Sequence, residues 1–353
     1  MNNFWQGKKV FLTGHTGFKG SWLSLWLQEL GATVCGYALE PNTQPNLFTL
    51  AQVAKNMQSI IDDICDFEKL SSAIKQFQPD IILHLAAQPL VRYSYENPIE
   101  TYSTNVMGTV NLLEAAKQCE SVKVVVNVTT DKCYENKEWV WGYRENEPMG
   151  GHDPYSNSKA CSELVTSAYR DSFYTKAGVA LASARAGNVI GGGDWSKDRL
   201  IPDIISNIIA GQNIEIRYPD AIRPWQHVLE SVSAYLLLAK KCFNEPKIYA
   251  EAWNFGPHLQ EVIPVRNIVE QMLKKWNSQV KWLDVSDKDT PHETNYLKLD
   301  IAKAMGKLHW QPKLTLSNAL DLTVEWYKVW HKGENMRELT LKQIKDYHLK
   351  NEE

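Results

Sequence analysis

A short β-branched run, Lys9–Thr13, leads directly into Gly14-His15-Thr16-Gly17-Phe18-Lys19-Gly20, and that loop opens a helical pattern carried by Trp22, Trp26, Leu27 and Leu30. Glycines three residues apart let the chain turn tightly and bring backbone N–H groups against a pyrophosphate at a helix N-terminus. Strand, turn and helix stand in the order that a dinucleotide site requires. The N-terminal part is thereby restricted to strand-helix-strand units.

The pattern repeats. Lys9–Thr13, Thr33–Tyr37, Gln58–Ile61, Asp80–Leu85, Val122–Val128 and Ala180–Arg185 read as strands with helical spacing between them. Such alternation predicts an α/β fold, a Rossmann-type doubly wound parallel sheet covered on both faces. After Arg185 the punctuation changes, with Gly191-Gly192-Gly193, Pro202, Pro219, Pro224, Pro257 and Pro264 between shorter segments. Helices are expected at Leu200–Ala210, Leu229–Lys240, Val265–Trp276 and Asn318–His331, and short strands around Glu215, Trp253 and Lys281. Residues 1–185 therefore read as an NAD-binding Rossmann domain and residues 186–353 as a smaller mixed α/β substrate lobe whose segments are free to interleave with the first. The charged tail from Lys332 reads as a solvated helix.

Composition excludes several classes. The 353 residues are 44% hydrophobic and 22% charged, enough apolar content for a full core and too much for disorder. A net charge of −3 leaves no broad basic footprint for nucleic acid or an anionic membrane, so an anionic ligand must be held locally. No apolar stretch approaches the ~18 residues needed to span a bilayer. The segment Met1–Trp5 shows no secretory pattern, and the six cysteines are scattered without metal-ligand spacing. A cytoplasmic protein with reduced thiols and no metal is expected.

A second motif is Tyr155-Ser156-Asn157-Ser158-Lys159. Positions four apart share a helix face, so the lysine cation would favour phenolate at Tyr155, a base able to take a hydroxyl proton as hydride leaves the same carbon. An NAD site usually ends its second strand on an acid; here that place falls near Ala38, with Glu40 the nearest carboxylate. No Arg lies between Gly31 and Gln52 to clamp a 2′-phosphate, so NAD is favoured over NADP.

These motifs, with Asp63-Ile64 and Leu85-Ala86-Ala87, resemble the extended short-chain dehydrogenase/reductases from about Lys9 to Tyr327. The resemblance implies that Gly14, Gly17, Phe18 and Gly20 hold the cofactor, that Asp63 and Ile64 contact adenine, that Leu85, Ala86, Ala87 and Thr104 line its path, and that Lys159 holds the nicotinamide ribose beside Tyr155. The segment Thr129-Thr130-Asp131-Lys132-Cys133-Tyr134 chooses within the family. It resembles nucleotide-sugar 4,6-dehydratases, in which Thr130 would contact the sugar 4-hydroxyl and Asp131 would protonate the departing C6 oxygen. Lys132 stands where Glu is usual; it is either the C5 base, an ion-pair partner of Asp131, or a solvated side chain.

The Thr-Asp-Lys variant, together with Pro45-Asn46-Leu47-Phe48, Ala87-Gln88-Pro89-Leu90-Val91-Arg92 and Arg223-Pro224-Trp225-Gln226-His227-Val228, resembles the branch acting on CDP-glucose. Gln88, Asn188, Arg199, Arg223 and His227 would then bind substrate, with a structural role for His227 left open. The same resemblance implies a homodimer packed through Tyr95–Gln118 and Pro154–Ala177, and a place in O-antigen precursor synthesis. The rivals are a 4-epimerase, a dehydratase of another nucleotide sugar, and a non-catalytic NAD-binding protein.

Overall fold

Each run expected to be a strand in the first half is one. The strands are β1 (Lys9–Thr13), β2 (Thr33–Ala38), β3 (Gln58–Ile61), β4 (Ile81–His84), β5 (Val124–Val128) and β6 (Ala180–Ala186). This computed structural model describes residues 3–286 and 296–349; the first two residues of the segment read for a leader and the last four of the charged tail lie outside them.

The strands pair in parallel in the order β6-β5-β4-β1-β2-β3, and a seventh, Ala252–Phe255, pairs with β6 at the other edge. The chain leaves β1 toward β2 on one side and returns to β4 on the other, so the sheet has its switch point at the C-terminal ends of β1 and β4. Ligands of doubly wound sheets sit in the crevice opened there.

Burial explains the near-continuous apolar runs. Strands β4, β5 and β6 are buried at every position because both sheet faces are covered. One face packs against Trp22 and Trp26 of the helix α1 (Phe18–Glu29), the Val228–Asn244 helix and Trp326; the other packs against Ile74, Leu112, Leu113 and Tyr174. Helix α1 is buried from Gly20 through Leu27, since C-terminal helices cover its outer side. This accounts for a helix apolar nearly all round.

Past β6 the expected helices appear, at Leu200–Ala210, Val228–Asn244, Val265–Trp276 and Leu316–His331. Among the described residues three two-stranded pairs accompany them, one of them Ile214–Ile216 with Trp282–Asp284. No helix among the described residues is long and apolar enough to cross a membrane, and no cluster of His, Cys, Asp and Glu there could hold a metal.

The tail departs from expectation. Met336–Leu349 is a helix, but it is docked rather than solvated: Met336, Thr340, Gln343, Ile344 and Tyr347 are buried. Met336, Ile344 and Tyr347 form the apolar part of a buried stripe at helical spacing that the surrounding polar and charged residues conceal. Tyr347 meets Trp26 edge-on and donates its hydroxyl to Glu230 Oε2 at 2.6 Å.

Candidate active site

The cofactor side is built at the end of β1. Gly14 has φ +77°, and a Cβ there would lie 2.8 Å from the Leu85 and Ala86 backbone; at Gly20 a Cβ would lie 2.0 Å from the Gly14 carbonyl oxygen. Only glycine permits strand, turn and helix to close this tightly. Thr13 Oγ1 accepts from the Leu85 and Ala86 amides, both at 3.1 Å, and pairs with His84 Nδ1 at 2.7 Å. The exit of β4 is thereby fixed against the glycine loop. Helix α1 starts on Gly17 with no side-chain cap, so its first-turn amides face the cavity. A bare helix N-terminus in a crevice suits a pyrophosphate, and these residues fit the diphosphate of a dinucleotide.

The cavity has a volume of about 1370 Å³, more than the roughly 300–1,000 Å³ of a typical single-ligand pocket, so two ligands have room. Asp63, Ile64, Leu85, Ala86, Ala87, Thr104 and Phe18 line it with the three glycines, and Glu40, two residues past the end of β2, lines it as well.

The catalytic candidates converge on the same space. Thr130, Asp131 and Lys132 leave β5 in a single helical turn, Thr130 Oγ1 accepting from the Lys132 amide at 3.3 Å and donating to Asp131 Oδ1 at 3.0 Å. Asp131 is buried, and its Oδ2 has no hydrogen-bond partner among the described residues. Burial pushes its carboxyl above the ordinary range, with Lys132, Thr130, Arg223 and Lys19 pulling the other way. The Lys132 ammonium is half-buried at the cavity wall and forms no ion pair with Asp131, which leaves one of the three readings of this residue aside.

Tyr155 and Lys159 come from the Pro154–Tyr169 helix, whose Asp153 cap accepts from the Ser156 amide at 2.9 Å. Both are buried and line the cavity, and Lys159 Nζ donates to the Val128 carbonyl at 3.4 Å. The phenol departs from the expected lowering: burial pushes Tyr155 up to about 12, against a downward pull from the Thr130 hydroxyl. Burial also lowers Lys159 to about 8, while Glu163 opposes this. Desolvation of the pair outweighs the attraction that spacing alone suggested.

Glu163, one turn beyond Lys159, was not singled out by sequence. Its carboxylate accepts from Thr129 Oγ1, from Ser183 Oγ at 2.7 Å and from Arg185 Nη2 at 2.7 Å, tying the helix to the ends of β5 and β6. Past β6, Asn188, Arg199 and Arg223 line the cavity; Arg199 pairs with Asp194 at 2.8 Å. Two expected substrate residues do not reach it. Gln88 spends its amide on Thr101 Oγ1 at 2.9 Å and on the Leu90 backbone, shaping the loop behind the wall. His227 is fully buried, caps the Val228–Asn244 helix through Nδ1 and lies edge-on to Trp22; burial lowers it to about 3. Its structural alternative is the observed one. Missed altogether were Lys19 and Asp194, both in the wall; Lys19 stood in the quoted glycine loop, but its side chain's direction is invisible to spacing.

Residues 11–323 match the sequence family described as GDP-mannose 4,6 dehydratase. The chain belongs to that family. Members similar to it include the CDP-glucose 4,6-dehydratase of Salmonella typhimurium, 57% identical over 98% of this chain and 97% of the relative. The dTDP-glucose 4,6-dehydratase of Haemophilus influenzae is 28% identical over 90% of this chain and 97% of the relative. Among solved structures, a dTDP-glucose 4,6-dehydratase from Bacillus anthracis in complex with NAD superposes with a TM-score of 0.77 at 23% identity, covering 93% of this chain and 99% of that one. The GDP-mannose 4,6 dehydratase fold also superposes on a UDP-glucose 4-epimerase of Thermotoga maritima in complex with UDP-glucose, with a TM-score of 0.79 at 22% identity, covering 92% and 99%.

Proposed function

We propose that this chain is an NAD-dependent hydro-lyase converting CDP-glucose to CDP-4-keto-6-deoxyglucose and water. The observation that carries the reading is that the Thr130-Asp131-Lys132 turn lines one cavity together with Tyr155 and Lys159, in a chain 57% identical to a CDP-glucose 4,6-dehydratase. A 4-epimerase has no use for an acid and a second base beside its tyrosine.

NAD, held by the glycine loop and Lys159, would supply the acceptor and later the donor of hydride. Tyr155 takes the sugar 4-hydroxyl proton, with Thr130 on the same oxygen and Lys159 at the cofactor ribose. The resulting 4-keto group acidifies C5–H. Lys132, as the free amine, takes that proton as Asp131 gives its own to the C6 oxygen, which leaves as water; C6 then takes the hydride back while Lys132 returns its proton to C5, and Tyr155 and Asp131 exchange protons with water to reset the cycle. Burial favours the protonated carboxyl that this step needs at Asp131, and its free Oδ2 offers the site of delivery. Asn188, Arg199 and Arg223 hold the substrate diphosphate, Arg suiting bidentate contacts. Residues 1–185 serve the cofactor and 186–353 the nucleotide sugar, with the Ala252–Phe255 strand returned to the first unit.

We place the enzyme in the cytoplasm as a homodimer supplying a deoxysugar precursor for the O-antigen of lipopolysaccharide. Six free thiols support a reducing compartment. Exposed Tyr95, Ile99, Met107, Leu164 and Phe173 on the two helical segments support the dimer. Incubation with CDP-, dTDP-, UDP- and GDP-glucose without added reductant tests the function: a 4-keto-6-deoxy product is expected from CDP-glucose. A 4-epimer, or turnover of another nucleotide sugar in its place, overturns the reading.

A further inference from the structure

Lys19 lies in the first turn of α1, between Gly17 and Gly20, with its side chain half-buried in the cavity wall. Its ammonium has no hydrogen bond and no ion pair among the described residues, unlike Arg199, which is held by Asp194. The charged groups facing it come from every neighbouring element. Lys159 of the Tyr155 helix and Arg199 of the substrate lobe repel it, and Asp131 at the end of β5 and Asp194 attract it. Burial, with Arg199 and Lys159 after it, lowers Lys19 to about 8. Desolvating a cation among other cations is costly unless an anion completes the group.

The cations outnumber the acids they face, and one acid is already spent. The α1 amides open on the same space and add positive potential without adding charge. An oxyanion against this wall would offset the excess of positive charge.

We infer that the Lys19 ammonium binds a diphosphate in this cavity, closing the gap between the α1 amides and the Arg199 side of the substrate lobe. The inference rests on the reading above, in which the cavity takes two diphosphate-bearing ligands. One chemistry therefore has two sources, the dinucleotide pyrophosphate and the diphosphate of the nucleotide sugar. A bound phosphate stabilises the ammonium, so the contribution of Lys19 is complete below about pH 8 and fades as pH rises through that value. Lys159 titrates in the same range, so the effect is read as the difference between wild type and variant.

The test measures the affinity of the purified full chain for NAD by tryptophan fluorescence and for CDP by calorimetry, in wild type, Lys19→Met and Lys19→Arg. Loss of a charge-assisted contact predicts about 10- to 100-fold weaker binding by Lys19→Met at pH 7, largely restored by Lys19→Arg and shrinking by pH 9. Weakening confined to NAD assigns the cofactor pyrophosphate; weakening confined to CDP assigns the substrate. A second measurement needs no variant: brief acetylation of wild type, read by peptide mass, labels Lys19 in the free protein and spares it when the assigned ligand is present. Unchanged affinity for both ligands in Lys19→Met, or equal labelling of Lys19 with and without each ligand, overturns the inference. Wild type that binds neither ligand overturns the parent reading instead.

Discussion

At the scale of single residues, Asp131 links reactivity to cost. Its carboxyl is buried with one oxygen unpartnered, and its raised pKa means that the unfolded chain gives up this proton at lower pH than the folded one. Folding stability attributable to Asp131 is therefore lost as pH rises through the ordinary carboxylate range toward the raised value. Asp131→Asn should melt higher than wild type at pH 7, with the gain vanishing in acid, while dehydration falls about 100-fold or more. A thermal melt series and a product assay check both halves; a variant that keeps full dehydration removes Asp131 as the acid. Lys132→Ala should slow hydrogen exchange at C5 more than oxidation at C4, measured by deuterium incorporation from solvent. Equal slowing of both would assign Lys132 to general positioning.

At the scale of elements, the proposed chemistry depends on how the Tyr155 helix is docked. Tyr155, Lys159 and Glu163 recur every four residues on one face, and Glu163 binds that face to the chain that continues into Thr130-Asp131-Lys132. Burial alone would raise the Glu163 carboxyl; Arg185, Thr129 and Ser183 more than offset it and hold it below its usual range. Glu163→Gln leaves Arg185 buried without its countercharge, which should destabilise the protein by about 3–5 kcal/mol. It also removes the group that holds Lys159 up, so the alkaline limb of kcat should move to lower pH. Glu163→Asp keeps the charge and should leave that limb near its wild-type place. A pH profile of Glu163→Gln that differs from wild type by a scale factor alone would limit Glu163 to packing.

Over the whole molecule, segments distant in sequence close the fold. Ala252–Phe255 completes the sheet begun at Lys9, and the tail helix covers α1, which carries the cofactor loop. Glu230, buried beneath the tail, accepts from the Lys313 and Leu314 amides at 2.8 and 2.7 Å and from Tyr347 at 2.6 Å. Tyr347→Phe leaves one oxygen of that carboxylate short of a donor and should cost about 1–3 kcal/mol, seen in denaturant unfolding. Turnover of folded protein should be unchanged, because neither residue lines the cavity. A stability equal to wild type would show that the tail docks by its apolar stripe alone.

The strands β1 to β6, the glycine loop and the Tyr155–Lys159 pair were legible because each is a local pattern, set by residues within one turn or one strand of each other. Gln88 and His227 were misplaced because polarity within a motif does not reveal whether a side chain faces the cavity or the backbone behind it. Glu163 was missed for the converse reason, since its partners lie on other elements, and Lys19 and Asp194 because only packing sets which charged groups they face. The sequence by itself determined the doubly wound sheet and the chemical groups at its switch point, since periodicity and backbone sterics act over a few residues. Tertiary structure alone decided which charges are paired, which are desolvated and which stand open to a ligand, because those depend on contacts between segments that spacing cannot relate.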